Sequence, residues 1–207
     1  MKVIQEIIGY KALHDGRIAK LQILGENNEC RSNIRCFKYQ KYRCSGALVL
    51  DIWNYRTFVK YSNGVSLNND SFEYNVDKIV EPQSPFETDL NEECASGIHY
   101  FKTLEAAIGY DPYEHYYMDN FSGKVCISND YDCSEWNIYT VEDGRIITYD
   151  TEKYEGDKLI RKKSYINICD NIRDVEYRKT YERTYNKHGR LIKTIKYKRA
   201  CKKRQIE

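Results

Sequence analysis

The apolar positions of this chain change spacing abruptly at one place, and that change is its strongest structural signal. Glu93-Cys94-Ala95-Ser96-Gly97-Ile98-His99-Tyr100-Phe101 leads into an apolar run, and Thr103-Leu104-Glu105-Ala106-Ala107-Ile108 then takes helical spacing. The pattern predicts a strand that turns directly into a short helix. Thr103 suits the N-cap, Glu105 falls in the first turn where the helix dipole favours negative charge, and Leu104, Ala107 and Ile108 share a face. Gly109 should end the helix, with Pro112 just beyond.

Upstream, the spacing is that of strands. Two apolar stretches between Ile4 and Leu24 flank His14-Asp15-Gly16, a turn signal, which predicts strands near residues 4–12 and 17–24 joined as a hairpin. Gly25-Glu26-Asn27-Asn28-Glu29 reads as a polar turn. In residues 30–44, Cys30, Arg31, Arg35, Cys36, Lys38, Lys41 and Arg43 fit no period, so an irregular connection is expected. Gly46-Ala47-Leu48-Val49-Leu50-Asp51-Ile52-Trp53 is the most continuous apolar run and predicts a buried strand in the middle of a sheet. Strands near 55–61 and 65–67 are expected to flank a tight turn at Ser62-Asn63-Gly64, with Asn68-Asn69-Asp70 ending the pair. Phe72, Tyr74 and Val76 alternate with polar residues, and Glu81-Pro82-Gln83-Ser84-Pro85 breaks the chain.

Downstream, residues 111–135 are rich in Tyr, Asp and Asn and read as a connection, with 113–135 as the linker proper. Asp143-Gly144-Arg145-Ile146-Ile147, Gly156-Asp157-Lys158-Leu159-Ile160 and His188-Gly189-Arg190-Leu191-Ile192 each join a glycine turn to a basic residue and two aliphatics. Between the last two, Val175, Tyr177, Lys179, Tyr181, Arg183 and Tyr185 alternate with Glu176, Arg178, Thr180, Glu182 and Thr184, which predicts a strand presenting those two sets on opposite faces. Residues 136–199 are expected to form a meander of about five antiparallel strands.

Composition adds one peculiarity, 20 tyrosines in 207 residues, suited to half-buried strand faces where the ring packs and the hydroxyl meets water. Charge adds a division: residues 1–138 carry 14 basic and 20 acidic side chains, or −6, whereas 139–207 carry 19 and 11, or +8. Either the halves meet each other or the second meets something acidic. The eight cysteines, Cys30, Cys36, Cys44, Cys94, Cys126, Cys133, Cys169 and Cys201, are dispersed and read as reduced thiols. Met1 to Gly9 has no secretory apolar core, and no stretch is long enough to span a membrane, so a protein that is not secreted is expected.

Taken in order, Gly9-Tyr10-Lys11, Arg31-Ser32-Asn33, then Lys41, Arg43 and Cys44 running into Ala47-Leu48-Val49, Phe72-x-Tyr74, Val80-x-Pro82, and Cys94-x-x-Gly97-Ile98-His99-Tyr100-Phe101 with Ala106-Ala107 resemble an uncharacterised domain of giant viruses and large bacteriophages, often found beside pentapeptide repeats. The resemblance covers about residues 1–112 and implies no activity; its motif residues are Cys94, Gly97, His99 and Phe101. The glycine-turn units of the second half resemble the strand–turn–strand repeats of the MORN-like class.

Candidate chemistry is sparse. Cys30, Cys36 and Cys44, with Cys94 and His99, are the residue types that bind zinc, but no Cys-x-x-Cys pair exists. Cys94 and His99 are the one nucleophile–base pair to consider, and five positions apart on a strand they point to opposite faces unless Ser96-Gly97 bends the chain. The alternative is a packed His99 whose ring satisfies a backbone group. Lys187 to Arg204 holds nine basic residues and no acidic one, with Tyr197 among them, which is compatible with nucleic acid as well as with an acidic protein surface.

The expected fold is α+β and β-rich: a mixed N-terminal domain (1–112) with one short helix after a strand, a linker, and a C-terminal antiparallel β-meander with a basic tail (136–207). No catalytic residue, metal or cofactor is assigned. The expected function is a non-catalytic viral structural or interaction protein, most concretely a minor capsid or virion-associated component, found in the virion or host-cell cytoplasm. Its partners are expected to be other viral proteins, met through Tyr177, Tyr181, Arg183, Tyr185, Arg190, Lys193 and Tyr197. A nucleic-acid-binding accessory protein is the first alternative, and a cysteine/histidine-dependent enzyme or zinc-stabilised domain the second.

Overall fold

The computed structural model describes residues 6–29, 39–89, 95–111, 120–128, 134–155, 158–167, 177–186, 188 and 190–197, with the backbone alone at 26–29, 167, 177 and 178. It is β-rich, with two antiparallel sheets and, among the described residues, one α-helix. This is the α+β, strand-dominated class that the spacing predicts.

The first sheet begins with the predicted hairpin, β1 (Ile8–Leu13) and β2 (Arg17–Glu29), turned by Asp15 and Gly16 at φ 61° and 66°. β3 (Lys41–Asn54) is the long buried strand, pairing with β2 along most of its length. It starts at Lys41, inside the stretch expected to be irregular; residues 30–38 lie outside the described residues. β4 (Asn63–Ser66) and β5 (Asn69–Asn75) form the next hairpin, β6 (Ile79–Val80) adds to β3, and β7 (Ile98–Phe101) completes the sheet.

Two local predictions fail here. Asn63-Gly64 is not a turn but the opening of β4, opposite Asn75 and Tyr74. Gly64 is needed for proximity: a Cβ there would lie 2.6 Å from Leu13 Cδ1. Nor is 55–61 a strand. The Asn54 side-chain oxygen accepts from the amides of Arg56 (3.0 Å) and Thr57 (3.1 Å), which draws the chain out of extended geometry, and Phe58 follows at φ 58°.

β7 lies between β3 and β1, so β1, β2, β3 and β7 form a closed ring of antiparallel pairs. Such closure removes exposed edges. One face of the sheet buries Leu13, Leu21, Val49, Ile52, Tyr74, Ile98 and Tyr100 together. The helix predicted after β7 is α1 (Leu104–Gly109), with Thr103 Oγ1 accepting from Ala106 N at 3.4 Å as its N-cap.

The second sheet is a meander in chain order, β8 (Gly123–Ser128), β9 (Glu135–Glu142), β10 (Arg145–Glu155), β11 (Lys158–Asn167), β12 (Tyr177–Tyr185) and β13 (Leu191–Lys196). Asp143-Gly144 makes the β9–β10 turn with both residues at positive φ. The five expected strands are present, and β8 adds a sixth from within the stretch expected to be linker. Tyr139, Tyr149 and Tyr165 stack across three strands, with ring centroids 5.7 Å and then 4.3 Å apart. This is the half-buried use of tyrosine that the composition suggests.

A second core joins the sheets. Ala12, Ile18, Tyr55 and Phe101 of the first, Ala106, Ala107 and Ile108 of α1, and Phe121, Val125, Cys126, Trp136, Val141 and Tyr154 of the meander form one buried cluster. Tyr55 donates to Asp111 across it at 2.8 Å. The division in charge therefore coexists with an apolar seam.

Gly109 is where α1 lies closest to β8: a Cβ there would sit 2.1 Å from the Cys126 carbonyl oxygen. Gly109→Ala is expected to lower stability by about 1–3 kcal/mol through overpacking, read as a lower urea midpoint. Gly46→Ala, whose Cβ would meet nothing nearer than 3.6 Å, is expected to leave that midpoint nearly unchanged.

Candidate functional site

The motif segments that are scattered in sequence pair strand to strand. Across β3 and β7, Lys41 faces Phe101, Arg43 faces His99 and Cys44 faces Ile98; across β1 and β7, Tyr10 faces Phe101. Tyr42 and Tyr100 stack at 5.6 Å between their ring centroids. Gly9 leaves room for the buried Tyr100 ring, 2.4 Å from where its Cβ would lie, and Gly97 does the same for Arg43 and Phe86. Cys94 lies outside the described residues.

These strands, the β4–β5 hairpin and the 82–84 and 95–97 segments enclose a cleft of about 410 Å³. Lys11, Phe72, Tyr74, Gln83, Ser96 and His99 are among its lining residues. Lys11 donates to the His99 carbonyl at 3.3 Å, and its ammonium lies 5.5 Å from the centre of the Tyr74 ring. A second, much smaller chamber behind it is shared by Lys11, Lys41, His99 and Tyr110.

His99 is neutral over the physiological range. Burial, and then Lys41, Lys11 and Arg43, push its pKa down from 6.5 to about 3. Its Nε2 is buried with no hydrogen-bond partner among the described residues. Cys44 is buried and donates to the Ile98 carbonyl at 3.6 Å, and Cys126 is also a buried thiol; the remaining six cysteines lie outside the described residues. Among the described residues no group of three or more His, Cys, Asp or Glu could hold a metal ion.

At the other end of the molecule, a bulge reorders the expected contact residues. Ser164 pairs with Tyr181 and Tyr165 with Lys179, leaving Thr180 as an extra residue in β12. The alternation therefore inverts at Thr180, placing Lys179 on the Glu182 face, opposite Tyr181, Arg183 and Tyr185. The contacts agree: Lys179 bonds Glu182 at 2.5 Å, and Tyr197 packs on Lys179 at 4.8 Å and donates to Glu182 at 3.4 Å. Arg183 stacks on Tyr181 at 4.6 Å. Lys193 pairs with Thr184, on the Lys179 side, while Arg190 is exposed at the turn. Of Tyr177 only the register, opposite Asn167, is described.

Two features escaped sequence reasoning. The cleft residues Lys11, Phe72 and Tyr74 stand in motif segments, but nothing in their spacing says that the segments converge. Lys162, 2.7 Å from Asp150 and 2.8 Å from Glu152, forms a partly buried ion cluster with Tyr154, which donates to Glu152 at 2.5 Å. Burial opposes the Lys162 charge, but its hydrogen bonds to Asp150 and Glu152 outweigh this and raise its pKa. The alternation of Asp150 with Glu152 and of Lys162 with Ser164 was the available signal.

Fold and cleft together define a β-rich protein built on a closed antiparallel sheet with a polar cleft at its closing strand. Residues 3–107 match the model of a family of unknown function, DUF5758, and the chain belongs to that family. No curated protein and no solved structure matches it significantly. Among the described residues no helix is long and apolar enough to cross a membrane.

A histidine held neutral binds a proton more readily once the chain unfolds. Its contribution is therefore complete above about pH 6.5 and is lost progressively as pH falls toward about 3. Urea unfolding of the wild type is expected to weaken more steeply between neutral pH and about pH 4 than that of His99→Gln. Parallel pH profiles would contradict the burial of a neutral ring.

Proposed function

We propose that this chain is a non-catalytic interaction protein whose contact surface is the β12–β13 end of the meander. One observation carries the reading. β13 is an edge strand among the described residues, and its apolar Leu191 and Ile192 are 53% and 64% exposed. An edge of this kind is a template for pairing with another chain. Arg183, Arg190, Lys193 and Lys196 surround it and make no ion pair among the described residues, whereas Lys162 and Lys179 further in are neutralised by carboxylates. The partner that fits is a protein with an acidic, strand-forming segment.

The most concrete version is a minor capsid or other virion-associated protein of a large virus, acting in the particle or the host-cell cytoplasm. Its support is the resemblance of residues 1–112 to a domain of giant viruses and large phages, with the MORN-like hairpins as a contact module. The same uncompensated cations favour one second reading, a nucleic-acid-binding accessory protein.

Leu191→Glu with Ile192→Glu is expected to abolish capture of the partner while leaving the thermal midpoint of the rest of the protein within a few degrees. Retained capture would count against the edge. Quantitative mass spectrometry of purified particles should find a fixed copy number relative to the major capsid protein that survives high-salt washing; absence from particles would sink the virion version. If the partner is nucleic acid, affinity should fall steeply with salt and vanish when residues 187–204 are removed.

A further inference from the structure

We propose that Tyr149 and Tyr165 form a site of oxidative cross-linking. A one-electron oxidant of the peroxidase class joins their rings through a carbon–carbon bond, which ties β10 to β11. The first argument is geometric. The two residues are direct partners in the β10–β11 ladder, and their rings lie within 4° of parallel with centroids 4.3 Å apart. At that spacing carbons of one ring touch carbons of the other. Among the described residues no other tyrosine pair is as close: Tyr139 and Tyr149 are 5.7 Å apart and tilted by 35°, and Tyr42 and Tyr100 are 5.6 Å apart at 28°. Exposure separates the pairs further. Tyr42 and Tyr100 are 3% and 0% exposed, whereas Tyr149 and Tyr165 are half-buried and keep part of their surface in solvent.

The second argument is the row in which the pair stands. Tyr139, Tyr149 and Tyr165 are successive partners across β9, β10 and β11, and the row ends at Val125 of β8 and Lys179 of β12. A vacancy left by an electron taken from Tyr139 or Tyr149 thus has a neighbouring phenol to pass to, and the tightest contact in the row lies at Tyr165. Burial, then Tyr165 and Tyr139, raise the Tyr149 pKa, so its phenol is protonated at neutral pH and gives up electron and proton together. The chemistry balances. Each phenol loses one electron and its hydroxyl proton, the two radicals couple at carbons beside their oxygens, and the hydrogen on each coupled carbon moves to oxygen to restore the ring. The two electrons and two protons released reduce one hydrogen peroxide to two waters. The new bond closes the hairpin and constrains the unfolded chain as a disulfide does. The site is separate from the β13 edge and stands whether or not that edge binds a partner.

The test uses the full chain, a haem peroxidase and hydrogen peroxide, with the protein dilute. The expected product is a monomer lighter by two hydrogen atoms that shows dityrosine fluorescence. Its peptide map should join the segment of Tyr149 to that of Tyr165 more often than it joins any other two tyrosines, a readout that needs no variant to fold. Dilution of about tenfold should leave the yield per chain unchanged, because both rings belong to one molecule. Tyr149→Phe and Tyr165→Phe keep a stacked ring without the phenol and should each lose most of the fluorescence, whereas Tyr197→Phe should retain it. Absence of dityrosine, cross-links spread over many tyrosine pairs, a yield that falls on dilution, or full fluorescence in Tyr165→Phe would each overturn the proposal.

Discussion

Much of the first sheet depends on a four-residue strand finding its place. β7 pairs with β3 on one side and β1 on the other, and without it the ring of β1, β2 and β3 stays open. Its residues serve both sides of the sheet at once. Ile98 and Tyr100 enter the inner core, Phe101 enters the seam with the meander, and His99 reaches the cleft. A strand that short has few ladder bonds of its own, so it is held by what its side chains bury and by the glycines that let neighbours approach. Gly9 and Gly97 are therefore part of the closure as much as the apolar residues are.

The same strand sets the charge pattern. Arg43, buried opposite His99, donates to the Asp89 carbonyl, while Lys11 reaches the His99 carbonyl from β1. Cations thus converge from two strands on a ring that stays neutral, in a half of the chain whose net charge is negative. The meander arranges its charges differently. Lys162 and Lys179 are matched by carboxylates within the sheet, and Arg161 by Glu135.

Much of this was legible in the chain, and the exceptions have physical causes. The strand-to-helix change at Thr103, the buried run from Gly46, the hairpin at Asp15-Gly16 and the meander all rest on local periodicity, which the fold respects. Asn63-Gly64 misled because glycine there answers a close approach by Leu13, not a turn, and a single sequence does not separate the two needs. The segment 55–61 misled because its apolar residues sit on an Asx-anchored loop, with Phe58 70% exposed. The bulge at Thr180 carries no signature of its own; it inverts a period that looked perfect. The cleft was invisible for a further reason. Its walls come from segments dozens of residues apart, each ordinary alone, and their meeting is a fact of topology.

The apolar seam bears on the nature of the family unit. The family match ends at residue 107, inside α1, yet Ala107 and Ile108 are buried against β8 and Phe121 from the next part of the chain. The recognisable unit is therefore incomplete as a solvent-facing object: it carries one side of an interior whose other side is supplied from elsewhere. In this chain the meander plays that part. The end of the family match therefore falls within one interior that α1 and β8 share.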